Sequence, residues 1–404
     1  MHVSAAVSAG TSNEQPRRVS QTATYCAAFV ALGLTVGSLG PTLTALAQQT
    51  HVRLSAISYL FTARSLGYVL GALRGGRLFD RRPGNPVMAA MMVAMAGMMT
   101  LVPLAPQLWL LLVLMLILGA SEATIDVGAN TLLVWVHQDG VAPFMNAMHC
   151  FFGIGAFIAP IVVAQTVSFN YPSTHSYFVL ALLLLPVAAF LRRLPSPVGG
   201  STGKRNDTTE TNRHLVFLIS VFLLLYVGAE VGFAGWIFTY AVELKMGSLK
   251  TAAYLTSLFW GGLTVGRMLT TPLAARFRSR SLLICSLGGC LFSVGLMLLK
   301  SGSLAVILIG TISLGFSMAS IFPATLSFAG QRMRLSGQVT GWFIFGSSAG
   351  AMLIPLLIGQ LFQFAGPHAL MLVIAITLVA AVGVLGAVIR SSEAEKKDIS
   401  LATG

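Results

Sequence analysis

The chain has 404 residues, of which 55% are hydrophobic and 9% are charged, and its formal net charge is +13 at pH 7. About a quarter of the residues in a soluble globular domain are charged, so this composition excludes that class of protein. Apolar runs long enough to cross a bilayer recur along the whole sequence, which is typical of a polytopic all-α membrane protein.

These apolar runs predict twelve transmembrane helices. In chain order the spans are 23–47, 56–78, 86–105, 108–136, 143–167, 175–191, 214–241, 252–274, 281–299, 303–328, 338–362 and 368–390. They form an N-terminal six-helix bundle, 23–193, and a C-terminal six-helix bundle, 214–390. Polar tails, 1–22 and 391–404, flank the bundles. Segment 194–213 is rich in Pro, Gly, Ser and Thr, which is typical of a flexible linker.

The positive charges are distributed asymmetrically between the two ends of the predicted spans. Most of the 25 Lys and Arg residues lie on the side that holds both chain ends. Only Arg53, Lys245, Lys250 and Lys300 lie on the other side. By the positive-inside rule, both termini and the linker are expected in the cytoplasm of a multi-pass protein of the inner or plasma membrane. The net charge therefore reflects membrane topology, and no nucleic-acid partner is expected.

The two bundles repeat each other at an offset of 195 residues. The matches include Gly33 with Gly228, Tyr59 with Tyr254, Gly155 with Gly350, Pro160 with Pro355 and Gln165 with Gln360. Six spans repeated in the same orientation predict two bundles related by a pseudo-two-fold axis. This plan is typical of transporters that rock around a site at mid-membrane.

Away from the span ends, and with His149 taken as neutral, the spans contain three acidic residues, Glu122, Asp126 and Glu230, and two basic ones, Arg64 and Arg267. Each costs at least about 2.5–3.5 kcal/mol at the centre of a membrane helix, so it must face a partner or a cavity. The two signs do not balance, because one negative charge is left over. That excess is expected of a site that binds a cation.

On span 4, Glu122, Asp126 and Asn130 follow one another at intervals of four and share one helix face, which makes them candidates for a polar wall that holds a coupling cation and sugar hydroxyls. Arg64 is expected to pair with Glu122, since both lie nearer the outside than Asp126. This leaves Asp126, with Asn130, as the candidate site for Na⁺ or for a proton. An ion pair of purely structural role is the alternative for Arg64 and Glu122.

Span 5 adds a second polar stripe with Asn146 and His149, which are candidate sugar ligands. Packing between helices is the alternative role of His149. Arg267 is a candidate gate residue or a side chain that extends to the membrane surface.

In the C-terminal half, Glu230 on span 7 is a candidate substrate ligand. Trp236, Trp260, Phe322 and Trp342 are candidate stacking partners for a sugar ring. Anchoring at the membrane interface is the alternative for such aromatic residues.

The loop after span 2, GGRLFDRRPG at 75–84, resembles the loop motif of the major facilitator superfamily, and ARFRSRS at 275–281 is its weaker echo. The resemblance implies the fold of that superfamily. It also implies that Asp80 and Arg81 help to latch the cytoplasmic side.

Several stretches are similar to the sodium-dependent glucose transporter branch, which is related to the fucose permeases. They are GLTVGSLGPTL (33–43), IDVGANTLLVW (125–135), FMNAMHCFFGIGAFIAP (144–160), LYVGAEVGFAGWIFTYA (225–241), SLFWGGLTVGR (257–267) and SIFPATL (320–326). The resemblance implies that Asp126 and Asn130 join sugar binding to ion coupling, and that His149 stands where the permeases bind sugar with Gln. Gly37 departs from this pattern, since the permeases carry an Asp there, which puts a two-acid proton relay in doubt.

These observations together predict a secondary active symporter of a small neutral sugar such as a hexose, working by alternating access as a monomer in the bilayer. The expected coupling ion is Na⁺ in preference to H⁺, and no other cofactor is expected. The alternative is a proton-coupled exporter of small amphipathic compounds, which the span-5 sequence GIGAFIAPIVVA does not favour. No catalytic constellation lies outside the spans, so an enzyme is not expected.

Overall fold

The computed structural model describes residues 4–197, 212–274, 276–333 and 336–403, and all regular structure in those ranges is helical. Apolar segments that cross a bilayer form helices, because every backbone N–H and C=O group then has a hydrogen-bond partner within its own segment. We number the long helices α1 to α12 in chain order. Their buried apolar side chains form one continuous core that runs through both halves.

The N-terminal half contains α1 (Ser4–Gln49), α2 (Leu54–Phe79), α3 (Gly84–Leu101), α4 (Leu108–His137), α5 (Ala142–Ser168) and α6 (Ser176–Arg193). Short 3-10 turns at Val102–Leu104, Gln138–Gly140 and Ser173–His175 connect some of them. Helix α1 continues through most of the predicted N-terminal tail. The predicted boundaries of the other five spans of this half agree within a few residues, whereas the last helix of the chain continues to Thr403 through most of the predicted C-terminal tail.

The C-terminal half contains α7 (Arg213–Glu243), α8 (Leu249–Ala274), α9 (Ser279–Leu299), α10 (Leu304–Gly330), α11 (Gly337–Ala365) and α12 (Ala369–Thr403). Among the described residues, eleven helices are long and apolar enough to cross a membrane, and α8, with 26 residues, completes the twelve. Most of the predicted linker, 198–211, lies outside the described residues.

Helix α10 is interrupted, which the sequence analysis did not anticipate. It runs as Leu304–Met318 and resumes as Ile321–Gly330. Pro323 lies just after the break, and a proline inside a helix removes a backbone hydrogen bond and clashes with the preceding turn. The break leaves the main-chain oxygen of Met318 available to a side chain of another helix.

The predicted repeat is present in the packing. A Cβ atom on Gly33 of α1 would lie 3.0 Å from Cα of Gly155 on α5. In the other half, a Cβ atom on Gly228 of α7 would lie 3.0 Å from the main-chain oxygen of Gly350 on α11. Both crossings bring backbones into direct contact, which small residues permit in membranes. The same offset of 195 relates the two pairs.

The halves contact each other at the face opposite the chain ends. At the start of α2, the main-chain oxygen of Ser55 accepts a hydrogen bond of 2.8 Å from Nε2 of Gln360 on α11. The hydroxyl of Ser55 donates a hydrogen bond of 2.8 Å to Oε1 of Gln363 on the same helix. Gln165 of α5 donates to the hydroxyl of Tyr254 on α8, 3.3 Å. These hydrogen bonds join the two halves at that face.

Candidate functional site

The site is built on α2 and α4, which run in the same direction because α3 returns the chain across the membrane. Arg64 of α2 donates from Nε to Oε2 of Glu122 on α4, 2.9 Å, and from Nη2 to Oε1, 2.5 Å. Glu122 is buried, and this two-point guanidinium–carboxylate geometry is the strongest form of ion pair. The predicted pairing of Arg64 with Glu122 is confirmed.

A second contact between the same helices lies one turn further along. The hydroxyl of Tyr68 donates to Oδ2 of Asp126. The amide of Asn130 donates to Oδ1, 2.8 Å, and to the main-chain oxygen of Asp126, 2.8 Å. Each carboxylate oxygen of Asp126 therefore has one hydrogen-bond partner. Both partners are neutral, so neither compensates a charge on Asp126.

Close packing fixes the register of the two contacts. A Cβ atom on Gly119 of α4 would lie 3.1 Å from the main-chain nitrogen of Tyr68, and one on Gly71 of α2 would lie 2.8 Å from Cα of Ala120. With the backbones this close, Arg64 contacts Glu122 and Tyr68 contacts Asp126, and the two partners are 58 residues apart in the sequence in both contacts. We call this pair of contacts the α2–α4 ladder.

Tyr68 was missed in the sequence analysis, although a signal was present. It follows Arg64 by four residues, as Asp126 follows Glu122. Residues four apart share a helix face, so a partner for Glu122 on α2 implies a partner for Asp126 one turn later.

The predicted sugar ligands of α5 have different surroundings. Asn146 is exposed. The His149 ring is half-buried and meets Phe29 of α1 edge-on, with ring centroids 5.1 Å apart. Arg267 of α8 lies near enough to His149 for its positive charge to act on the ring. The structure therefore gives His149 a packing contact in addition to any role in binding.

In the C-terminal half, the hydroxyl of Tyr226 contacts Glu230 one turn later on α7. The same hydroxyl lies 3.0 Å from the main-chain oxygen of Met318, at the break in α10. Arg267 interacts electrostatically with Tyr226 as well. Glu230 is thus half-buried in a cluster that includes a positive charge.

Two of the aromatic residues predicted to contact sugar are covered by protein instead. Trp236 has no exposed surface, stacks on Phe362 at 5.0 Å and donates from Nε1 to the main-chain oxygen of Pro355, 3.0 Å. Trp260 is 3% exposed and meets Phe152 of α5 edge-on, 6.0 Å between ring centroids. Both tryptophans lie at contacts between helices, so neither faces open space in this conformation.

The remaining predicted residues keep accessible surface. Trp342, near the start of α11, is 53% exposed, and Phe322 on α10 is half-buried. Asp80 and Arg81 are exposed at the end of α2, on the face of the chain ends, where a latch between the halves would act.

Within the described ranges, no three or more His, Cys, Asp and Glu residues cluster as a metal centre. A cation at the α2–α4 ladder would therefore rest on one carboxylate and neutral oxygen atoms. Hard cations accept such oxygen ligands.

Residues 25–355 match the sequence model of the Major Facilitator Superfamily. The chain is similar to sodium-dependent glucose transporter 1A of Mus musculus, with 31% identity over 83% of this chain and 88% of that protein. It is also similar to major facilitator superfamily domain-containing protein 4A of Xenopus tropicalis, with 25% identity over 87% and 88% of the two chains.

The fold is similar to solved transporter structures. One is a bacterial homologue of the human lysosomal transporter Spinster in an inward-facing, unoccupied conformation, with a TM-score of 0.76, 13% identity and coverage of 95% and 98%. Another is the nucleoside transporter NupG, with a TM-score of 0.69, 14% identity and coverage of 92% and 98%. The chain is a multi-pass membrane transporter of the major facilitator superfamily, and within it belongs to the branch of the sodium-dependent glucose transporters.

Proposed function

We propose that this protein is a secondary active symporter that couples the downhill movement of a cation, Na⁺ rather than H⁺, to uptake of a small neutral sugar such as a hexose. It works by alternating access as a monomer in the cell membrane, with both termini in the cytoplasm. The observation that carries this proposal is the set of partners around Asp126, which are hydrogen-bond donors without charge.

The two acids of α4 differ in what neutralises them. Glu122 receives two guanidinium donors from Arg64, whereas Asp126 receives one hydroxyl and one amide. A carboxylate inside the membrane region is expensive unless a positive charge accompanies it. A transported cation supplies that charge during each cycle. This division of roles favours Asp126 as the coupling residue and Glu122 as a structural one.

The sugar would bind between the halves, beside this cation. Asn130 and Asn146 offer amide groups, His149 offers a ring nitrogen, and Trp342 offers an exposed aromatic face. Aromatic faces stack on the apolar faces of sugar rings, and neutral polar groups bind hydroxyls without requiring a charge on the ligand. The relatives named as sodium-dependent glucose transporters support the same pair of substrates.

A binding and transport panel tests the proposal. The purified full-length protein is reconstituted in proteoliposomes, and counterflow of hexoses, pentoses and disaccharides is measured in NaCl and in choline chloride at several pH values. We expect counterflow of at least one hexose, with an apparent affinity that increases with Na⁺. Absence of sugar counterflow, combined with export of a cationic dye driven by a proton gradient, would overturn the proposal in favour of an exporter.

A further inference from the structure

Tyr68 contacts Asp126 directly and has no role in the binding site described so far. Its hydroxyl donates to one carboxylate oxygen, while Asn130 donates to the other, 2.8 Å. A cation that approaches the carboxylate from the side of Tyr68 would meet the hydroxyl proton. One of the two donors must therefore turn away before an ion can bind between it and Asp126.

The two donors differ in what this change requires. The amide of Asn130 would have to turn over to offer its oxygen to a cation, which breaks both of its hydrogen bonds to Asp126. A hydroxyl carries one proton and two lone pairs, and its proton rotates to suit its surroundings. Tyr68 can therefore change from a hydrogen-bond donor to an oxygen ligand by rotation about one bond. Small hard cations prefer oxygen ligands, so this change suits Na⁺.

The backbone geometry keeps the Tyr68 hydroxyl at the site. The main-chain nitrogen of Tyr68 would lie 3.1 Å from a Cβ atom on Gly119, so α2 and α4 are in contact at this level. One turn earlier, the two guanidinium bonds between Arg64 and Glu122 hold the same register. Those bonds occupy both oxygens of Glu122, so the first contact of the ladder is unsuited to a second cation.

We propose that the Tyr68 hydroxyl is an oxygen ligand of the coupling cation, next to a carboxylate oxygen of Asp126. In the empty site it donates to Asp126, and in the occupied site its oxygen faces the ion. This inference rests on the proposed cation-coupled symport and names a residue that selects Na⁺ over a proton. A proton would sit on the carboxylate itself and would not require the phenol oxygen.

The test compares Tyr68→Phe with wild type and with Tyr59→Phe, a control on the exposed start of the same helix. The melting temperature of each purified full-length protein is measured in detergent while NaCl replaces choline chloride at constant ionic strength. The value in choline chloride alone shows whether each variant is folded. Asp126→Asn serves as the variant that lacks the carboxylate charge.

We expect Na⁺ to raise the melting temperature of wild type and Tyr59→Phe with the same midpoint. In Tyr68→Phe the midpoint should increase about tenfold or more, as is typical when a supporting group of a metal site is lost. An unchanged midpoint in Tyr68→Phe, with the Na⁺ effect lost in Asp126→Asn, would overturn the role of Tyr68 and leave the proposed function standing. A wild-type protein that does not respond to Na⁺ would overturn both this inference and the choice of Na⁺ as coupling ion.

Discussion

Helices α2 and α4 in the first half and α8 and α10 in the second half cross in the same way. A Cβ atom on Gly119 of α4 would lie 3.1 Å from the main-chain nitrogen of Tyr68. A Cβ atom on Gly315 of α10 would lie 3.1 Å from the main-chain nitrogen of Leu263. Tyr68 and Leu263 are related by the offset of 195. The backbone contact is therefore repeated, although the side chains at it are not.

The difference lies in the chemistry placed on this shared contact. Phe259 and Leu263 occupy the positions in α8 that Arg64 and Tyr68 occupy in α2. The second half thus forms the same crossing with apolar side chains. Because a buried ion pair is seldom more stabilising than well-packed apolar residues, apolar side chains could form this crossing in the first half as well. The polar contacts of the first half therefore favour a transport role for Tyr68 and Asp126, positioned by the ion pair of Arg64 and Glu122.

The acids of the two halves also differ in their neighbours. Asp126 accepts from Tyr68 and Asn130, which are neutral. Glu230 stands beside Tyr226, and Arg267 acts electrostatically on that same tyrosine. A positive charge already lies near Glu230, so that carboxylate depends less on a transported cation than Asp126 does. This difference supports the proposal that cation coupling belongs to the first half.

The largest expected effect is that of Glu122→Gln, which leaves the Arg64 guanidinium without its anion. Breaking a buried pair in this way costs about 3–5 kcal/mol, so the variant should show low yield and a reduced melting temperature in detergent. The double variant Arg64→Leu with Glu122→Leu imitates the apolar second half and should recover most of the stability. A double variant no more stable than Glu122→Gln would show that the ladder is needed for the fold.

A smaller effect is expected from Gly71→Ala, because the new Cβ atom would lie 2.8 Å from Cα of Ala120. Separating α2 from α4 should cost about 1–3 kcal/mol and misalign Tyr68 with Asp126. The measurements are the melting temperature and Na⁺-driven sugar accumulation in proteoliposomes. Gly76→Ala, on the same helix with no atom within 4 Å of the new Cβ, is the matched control and should behave as wild type.

The equivalent glycine of the second half sharpens the comparison. A Cβ atom on Gly266 would lie 2.6 Å from Cβ of Ala319, so Gly266→Ala should also lower the melting temperature. Sugar accumulation by the Gly266→Ala variant should nevertheless depend on Na⁺ as in wild type, since the proposed coupling residues do not lie on α8. Loss of Na⁺ dependence in Gly266→Ala, at preserved stability, would contradict the difference between the halves.

Much of the fold could be predicted because hydropathy and the repeat leave few alternatives for a chain of this composition. The pairing of Arg64 with Glu122 was also predictable, since the depth of each residue follows from its distance to the ends of its span. Tyr68 was missed because tyrosine is common at packed positions and nothing in its own identity indicates a carboxylate partner. Its spacing of four residues from Arg64 was the available signal, and the register of α2 against α4 shows what that spacing means.

The burial of Trp236 and the break in α10 show a second kind of feature that the sequence alone did not predict. Which helix faces line the central space depends on the conformation, and in this one the indole of Trp236 packs on Phe362. Pro323 was visible in the sequence, but prolines also occur inside continuous helices here, as Pro160 does in α5. Tertiary contacts decide between a kink and a break, and one sequence does not contain them.

The most direct measurement is cation-driven sugar accumulation by Asp126→Asn in proteoliposomes, with counterflow recorded on the same preparation. Replacing the carboxylate with an amide removes the charge that the coupling cation requires while it preserves the shape of the side chain. We predict that accumulation is lost and that counterflow partly survives. Accumulation against a gradient by Asp126→Asn, together with its loss in folded Glu122→Gln, would contradict the assignment of the two acids and reverse their roles.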